Sequence, residues 1–199
     1  MTFDLVIALL GFAFVTSVTP GPNNMMLLAS GVNFGFRRTV PHMLGISAGH
    51  SLMVFLVGLG IAGLFRAFPL SVTMLKVASV GYMLWLAWKI ARAGAPGEGA
   101  ARARPMTFLQ AAAFQWVNPK AWAMALGAVT AYVATPSATA YLAVAATFAA
   151  VNLPSVSLWA AAGQGLRRWL DAPARLRAFN WTMAALLVVS LYPVLRLKM

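Results

Sequence analysis

The sequence predicts an all-α integral membrane protein: six transmembrane helices forming two inverted three-helix repeats, with helices 1 and 4 broken. Three observations predict this. Hydrophobic residues make up 61% of the 199 residues and charged residues only 9%, whereas a soluble domain is about 25% charged. Uncharged runs of membrane-spanning length recur along the chain. Proline-centred clusters interrupt two of these runs at corresponding places.

Residues 5–36 and 39–65 contain no Asp, Glu, Lys or Arg, and 67–90 contain only Lys76 and Lys89. Residues 105–133 contain only Lys120, and 121–166 form an uncharged stretch long enough for two passes. Thr135-Pro136-Ser137 supplies the turn between those passes. With a last apolar run at 178–195, the spans fall at about 4–32, 42–64, 69–90, 107–132, 138–163 and 177–196. A membrane barrel would show alternating segments of about ten residues instead. The N-terminus has Asp4 in place of a basic leader region, so the first apolar run is expected to be a retained helix.

The net charge of +12 does not indicate nucleic acid, because too few polar residues exist to build a water-facing basic surface. It indicates orientation. Alternating loops place Arg37, Arg38, Lys89, Arg92, Arg102, Arg104, Arg167, Arg168, Arg175 and Arg177 on one side, against Arg66, Arg196 and Lys198 on the other. The positive-inside rule puts the richer side in the cytoplasm and both termini on the outer side of the membrane. The basic residues also suit contact with anionic lipids of the bilayer.

Residues 92–105, rich in Gly, Ala and Pro, read as a flexible cytoplasmic linker. It divides a single domain, 1–199, into repeats 1–91 and 106–199. Three helices per half force opposite orientations, a recurrent transporter plan. Val18-Thr19-Pro20 aligns with Val117-Asn118-Pro119, Gly63-Leu64 with Gly165-Leu166, and Leu75-Lys76 with Leu176-Arg177, at offsets of 99, 102 and 101.

Thr19, Pro20, Gly21, Pro22, Asn23 and Asn24 interrupt span 1. Two prolines around a glycine cannot continue a regular helix. Such a break is tolerated where it is buried in protein or lines a wet cavity. A half-helix starting at Pro22 would present free N–H groups and a positive dipole end to a carboxylate. A ligand-free proline kink is the alternative. In span 4, Gln115, Asn118, Pro119 and Lys120 occupy the corresponding place. Lys120 is too deep to reach the interface easily, and no acid lies at its depth. Its partners are therefore carbonyls, amides or a substrate carboxylate; a structural lysine tied to carbonyls freed by Pro119 is the alternative.

His50 in span 2 is a candidate proton carrier, since an imidazole has an unperturbed pKa of about 6.5; a hydrogen-bonded core histidine is the alternative. His42 is expected at the interface. Asn152 and Pro154 mark a polar, weakened point in span 5, and Asn152 lies 102 residues after His50. Gly31 with Gly35 and Gly45 with Gly49 have the spacing of close helix contacts, which suits a homodimer as well as internal packing. Trp85, Trp88, Trp169 and Trp181 fall near span ends, as an aromatic belt does.

The three acids are Asp4, Glu98 and Asp171, none in the middle of a span. A cationic substrate or a metal ion would lack its carboxylate partner. With no cysteine either, no metal and no cofactor are expected. A zwitterionic amino acid fits: its carboxylate at Lys120 and the half-helix, its ammonium at carbonyls released by Pro20 and Pro119. Hydrolase, metalloprotease and phosphate-loop motifs are missing, so the chain is not expected to be an enzyme.

Thr19-Pro20-Gly21-Pro22-Asn23-Asn24, Gly35-Phe36-Arg37-Arg38, Leu75-Lys76 with Gly81-Tyr82, and Val117-Asn118-Pro119-Lys120 together resemble the LysE/RhtB family of bacterial amino-acid exporters. Residues 82–91 are similar to its cysteine and O-acetylserine branch. The resemblance covers the whole chain. It implies export of amino acids or related metabolites from the cytoplasm of a bacterium across its inner membrane, in exchange for protons; the missing acids narrow this to neutral substrates. A passive small-metabolite channel and a non-transporting membrane subunit are the competing readings.

Overall fold

The computed structural model describes residues 2–61, 63, 67–68, 70–93, 104–170 and 172–192. Most of the expected linker lies outside these residues, as do Arg66, Arg102, Arg196 and Lys198. Among the described residues the regular elements are all helical.

Helix α1, Phe3–Val18, starts where the Thr2 side chain accepts from Leu5 N, and stops before Pro20. Helix α2, Pro22–Phe34, has its proline in the first turn, where a missing N–H costs nothing. The two meet at 54° across a break of three residues. Gly35, with φ +79°, turns the chain directly into α3, Phe36–Gly58. A positive φ of this kind suits glycine, which has no Cβ to clash. Helix α3 thus begins six residues before the expected position: Arg37, Arg38 and Pro41 read as loop, yet form its first turns. Helix α4 is Leu70–Ala91.

In the second half, α5 is Phe108–Phe114, opened by a reciprocal capping pair between Thr107 and Gln110. A 3-10 turn, Gln115–Val117, leads to α6, Pro119–Tyr132. Ser137 caps α7, Ala138–Leu166, so the turn expected at Thr135-Pro136-Ser137 is present. A second 3-10 turn, Arg167–Trp169, precedes α8, Pro173–Val189.

Among the described residues, three helical runs have the length and apolarity to cross a membrane: α3, α4 and Ala138–Trp169. The bent α1–α2 pair makes a fourth. Expected span 4 is divided at Asn118, and the described part of span 6 forms a helix of 17 residues.

The packing is reciprocal. Helix α7 lies along both α1 and α2, while α3 lies along both α5 and α6; α3 packs on α7, and α4 on α8. The close contacts depend on glycine. A Cβ on Gly31 would stand 2.2 Å from Ala160 O, and one on Gly163 2.2 Å from Leu28 O. One on Gly45 would stand 2.3 Å from Phe108 O, and one on Gly49 2.6 Å from Ala112 Cα. These small-residue faces are occupied inside the fold.

Several helix ends gather at one pole. Phe36 N donates to Gln164 Oε1 at 2.6 Å, and Asn180 bonds both Asn33 and the Ala93 carbonyl. The basic residues of α3, α4 and the Arg167–Arg177 region therefore share one end. The core divides along the helix axes. One apolar cluster, including Leu27, Ile46, Phe114 and Val156, lies toward the basic pole. Another, including Ala13, Met53, Met124 and Phe148, lies toward the other. Between them each broken or long helix contributes buried polar residues: Ser17 and Asn24, His50, Gln115 and Asn118, and Asn152.

Candidate functional site

The polar layer is where the two breaks meet. At the end of α1, four successive carbonyls have donors from elsewhere in the fold. Asn24 Nδ2 donates to Ser17 O at 2.8 Å and to Thr19 O at 2.7 Å. Trp159 Nε1 donates to Val18 O at 3.0 Å. Lys120 Nζ donates to Thr19 O at 2.7 Å, to Thr19 Oγ1 at 3.0 Å and to Pro20 O at 3.3 Å. Carbonyls that a proline break leaves open need such partners away from water. A cation at a helix C-terminus is also favoured by the dipole.

The lysine reaches these carbonyls because Gly21 leaves room. A Cβ there would lie 2.7 Å from Lys120 Cδ and 3.1 Å from its Nζ. The N-terminus of α2 has no side-chain cap and no acid in its first turn, so its N–H groups carry the positive dipole end unneutralised.

The second break is closed locally. Asn118 Oδ1 accepts from Lys120 N at 3.1 Å, capping α6, and Trp122 Nε1 donates to Trp116 O at 2.9 Å. Asn23 and Gln115 join the breaks through paired amides, at 2.8 and 3.2 Å, and Gln115 Nε2 also donates to Ala111 O.

These groups surround a cavity of about 20 Å³, room for one water molecule. Gly21, Asn23, Asn24, Gln115, Asn118 and Lys120 line it, together with His50. Thr19, Pro20 and Pro22 set the bend beside it without lining it. Both ring nitrogens of His50 are buried without a hydrogen-bond partner, so the hydrogen-bonded core alternative does not describe it. Its ring meets Phe148 edge-on at 5.1 Å. Lys120 is held by carbonyls of the first break, not by those freed at Pro119. The carbonyls expected to receive a substrate ammonium at Pro20 are, in this conformation, occupied by Asn24 and Lys120.

Sequence reasoning missed Ser17 and Thr16, polar groups one turn before the first break that also line the cavity. It noted Asn152 but gave it no place in the site. Asn152 Nδ2 donates to Ser17 Oγ at 3.1 Å, while its Oδ1 is buried and unpartnered. The 102-residue offset from His50 was the available signal. His42, expected at the interface, is 1% exposed with both nitrogens unpartnered, because the early start of α3 turns it inward. Among the described residues no group of His, Asp and Glu could hold a metal ion.

A helix pair broken around a small polar cavity is a known device for ligand sites in transporters. The family profile of LysE type translocators matches residues 14–191. The chain belongs to that family. As a LysE-type translocator it is a multi-pass membrane transporter and not an enzyme. It is 32% identical over 191 residues to the cysteine/O-acetylserine efflux protein of Escherichia coli (strain K12), covering 94% of this chain and 96% of that one. It is equally similar to the protein of that name in Shigella flexneri, over the same length and shares. The counterpart of that name in Klebsiella pneumoniae is 30% identical over 190 residues, covering 94% and 95% of the two chains. No solved structure matches this LysE-type chain significantly.

Proposed function

We propose that this LysE-type translocator exports neutral, zwitterionic amino acids or related metabolites across the bacterial inner membrane by a proton-coupled secondary mechanism. The observation that carries the reading is the meeting of both helix breaks at one polar layer lined by Lys120 and, among the described residues, by no acidic side chain. Substrate carboxylate would take the Lys120 ammonium and the open N–H groups of α2. The amides of Asn23, Asn24, Gln115 and Asn118 would orient it. The lack of any acid at this depth disfavours cationic substrates. The names of the relatives, cysteine/O-acetylserine efflux protein, agree with a small neutral substrate.

The cavity, about 20 Å³, is far too small for an amino acid. Binding then requires Lys120 to leave the α1 carbonyls and the breaks to separate. His50 is the proposed proton carrier: it is buried, lines the cavity and has no competing hydrogen bond. Reciprocal packing of α7 on α1–α2 and of α3 on α5–α6 supports six spans in two inverted repeats. The shared basic pole supports a cytoplasmic placement of that end, with both termini periplasmic.

One observation favours a second reading, in which Lys120 is a structural clamp. Its hydrogen bonds to Thr19 and Pro20 suffice to hold the break. Efflux of preloaded, labelled cysteine, O-acetylserine, serine, threonine, homoserine and leucine, with lysine as the cationic control, separates the two. Wild type and Lys120→Met are compared in proteoliposomes with and without a proton gradient. Saturable, gradient-dependent efflux of a neutral member, lost in a folded variant, supports the proposal. Unchanged efflux in that variant establishes the clamp. Lysine as the sole substrate overturns the neutral class, and linear, non-saturable flux establishes a channel.

A further inference from the structure

A second cavity, of about 310 Å³, separates α2 from the last turns of α4 at the basic pole. Its size falls within the range of small-molecule sites, about 300–1,000 Å³. The walls are apolar: Met26, Phe34, Leu86, Ile90 and Met106. Three cations, Lys89, Arg92 and Arg104, line it, and among the described residues no acidic side chain does. Two of the cations are held in place by indole rings. The Arg92 guanidinium stacks 4.6 Å from the centroid of exposed Trp88, and Lys89 Nζ lies 5.2 Å from that of Trp85.

Most neutral polar groups in the lining are already paired. Ser30 Oγ bonds Thr39 Oγ1 at 2.8 Å, and Asn33 bonds Ala29 O and Asn180. His42 is the exception: it lines the cavity, almost fully buried, with neither ring nitrogen partnered. The remaining polar capacity is therefore three cations and one imidazole above an apolar floor. A zwitterion would bring its own ammonium against those cations. A ligand with several anionic oxygens on an apolar body matches both parts.

We propose that this cavity is a binding site for one anionic phospholipid, its phosphate on Arg92, Arg104 and Lys89 and its acyl region against Leu86, Ile90 and Met26. The site lies at the end of the molecule where basic residues meet the anionic leaflet. The inference does not depend on what the central site transports.

The test is native mass spectrometry of the full-length protein in detergent with dioleoyl phosphatidylglycerol or dioleoyl phosphatidylcholine. Wild type is expected to retain one phosphatidylglycerol selectively. Arg92→Gln with Arg104→Gln should weaken retention roughly 30-fold, from about 1 kcal/mol per basic side chain. Arg168→Gln with Arg177→Gln removes the same charge outside the cavity and should leave retention unchanged. Equal loss in both double variants would mean general surface charge and overturn the site. Equal retention of the two lipids, or retention of neither, would overturn it as well. A second measurement needs only the folded wild type and Trp88→Phe. Brominated phosphatidylglycerol should quench a component of tryptophan fluorescence that the variant lacks, and brominated phosphatidylcholine should not. Identical quenching by both lipids refutes the proposal independently.

Discussion

The two breaks in this molecule are built from similar words, Thr-Pro-Gly and Asn-Pro-Lys, and solve the same problem in opposite ways. The break before Pro119 closes on itself: Asn118 caps the helix that follows, and Trp122 takes a carbonyl from the turn before it. The break before Pro22 depends on donors brought from elsewhere, Lys120 and Trp159 across the fold and Asn24 from the next half-helix. Its half-helix start has no cap. A self-contained break is a rigid part; a break held from outside can exchange its partners. Under the proposed function, the first break is where a substrate would compete for partners, and the second supplies its rival, Lys120.

Five substitutions break or sharpen that comparison. The largest effect is expected where both breaks rest on glycine. Gly31→Val drives a side chain into the Ala160 backbone, and Gly49→Val into that of Ala112. Each should cost about 3 kcal/mol or more, read as loss of a monodisperse peak and a lower melting temperature; a folded, active variant at either position would show that the helices have slack. Next, Lys120→Met is expected to lower efflux about 10- to 100-fold, the value of a charge-assisted hydrogen bond. Gly21→Ala should fold, because the atoms it meets belong to a flexible lysine chain. Efflux should fall about fivefold as Lys120 loses roughly one bond, and an unaltered rate would mean that Nζ need not approach Pro20. The smallest effect is expected at Asn118→Ala, a loss of about 1 kcal/mol in stability from the missing cap. Chemical denaturation would check it, and a larger change would show that the second break also leans on distant partners.

Much of the fold was legible because breaks and turns are local events. Pro20-Gly21-Pro22 placed the start of α2, and Ser137 the start of α7, through residues that act on their own backbone. The start of α3 was misjudged because the charges drew attention away from the glycine before them. Arg37 and Arg38 look like a loop, but Gly35 turns so sharply that the helix has begun before the charges are reached. In the site, the cluster of amides and the deep lysine were visible as residue types out of place among apolar neighbours. Their partners were not. Lys120 bonds carbonyls 100 and 101 residues away, and only the folded chain says which break it serves. Asn152 and Ser17 were hard to find because each, alone in an apolar run, resembles ordinary helix packing.

The layer holding Lys120 lies between the two apolar clusters of the core, and this has an electrical consequence. Lys120, half-buried and bonded to uncharged carbonyls and a hydroxyl, places a positive charge partway along the direction of the membrane voltage. Carrying one charge fully across a membrane involves about 2.3 kcal/mol per 100 mV. Any rearrangement that shifts the ammonium along the field must do its share of that work, and a bound carboxylate would reduce it.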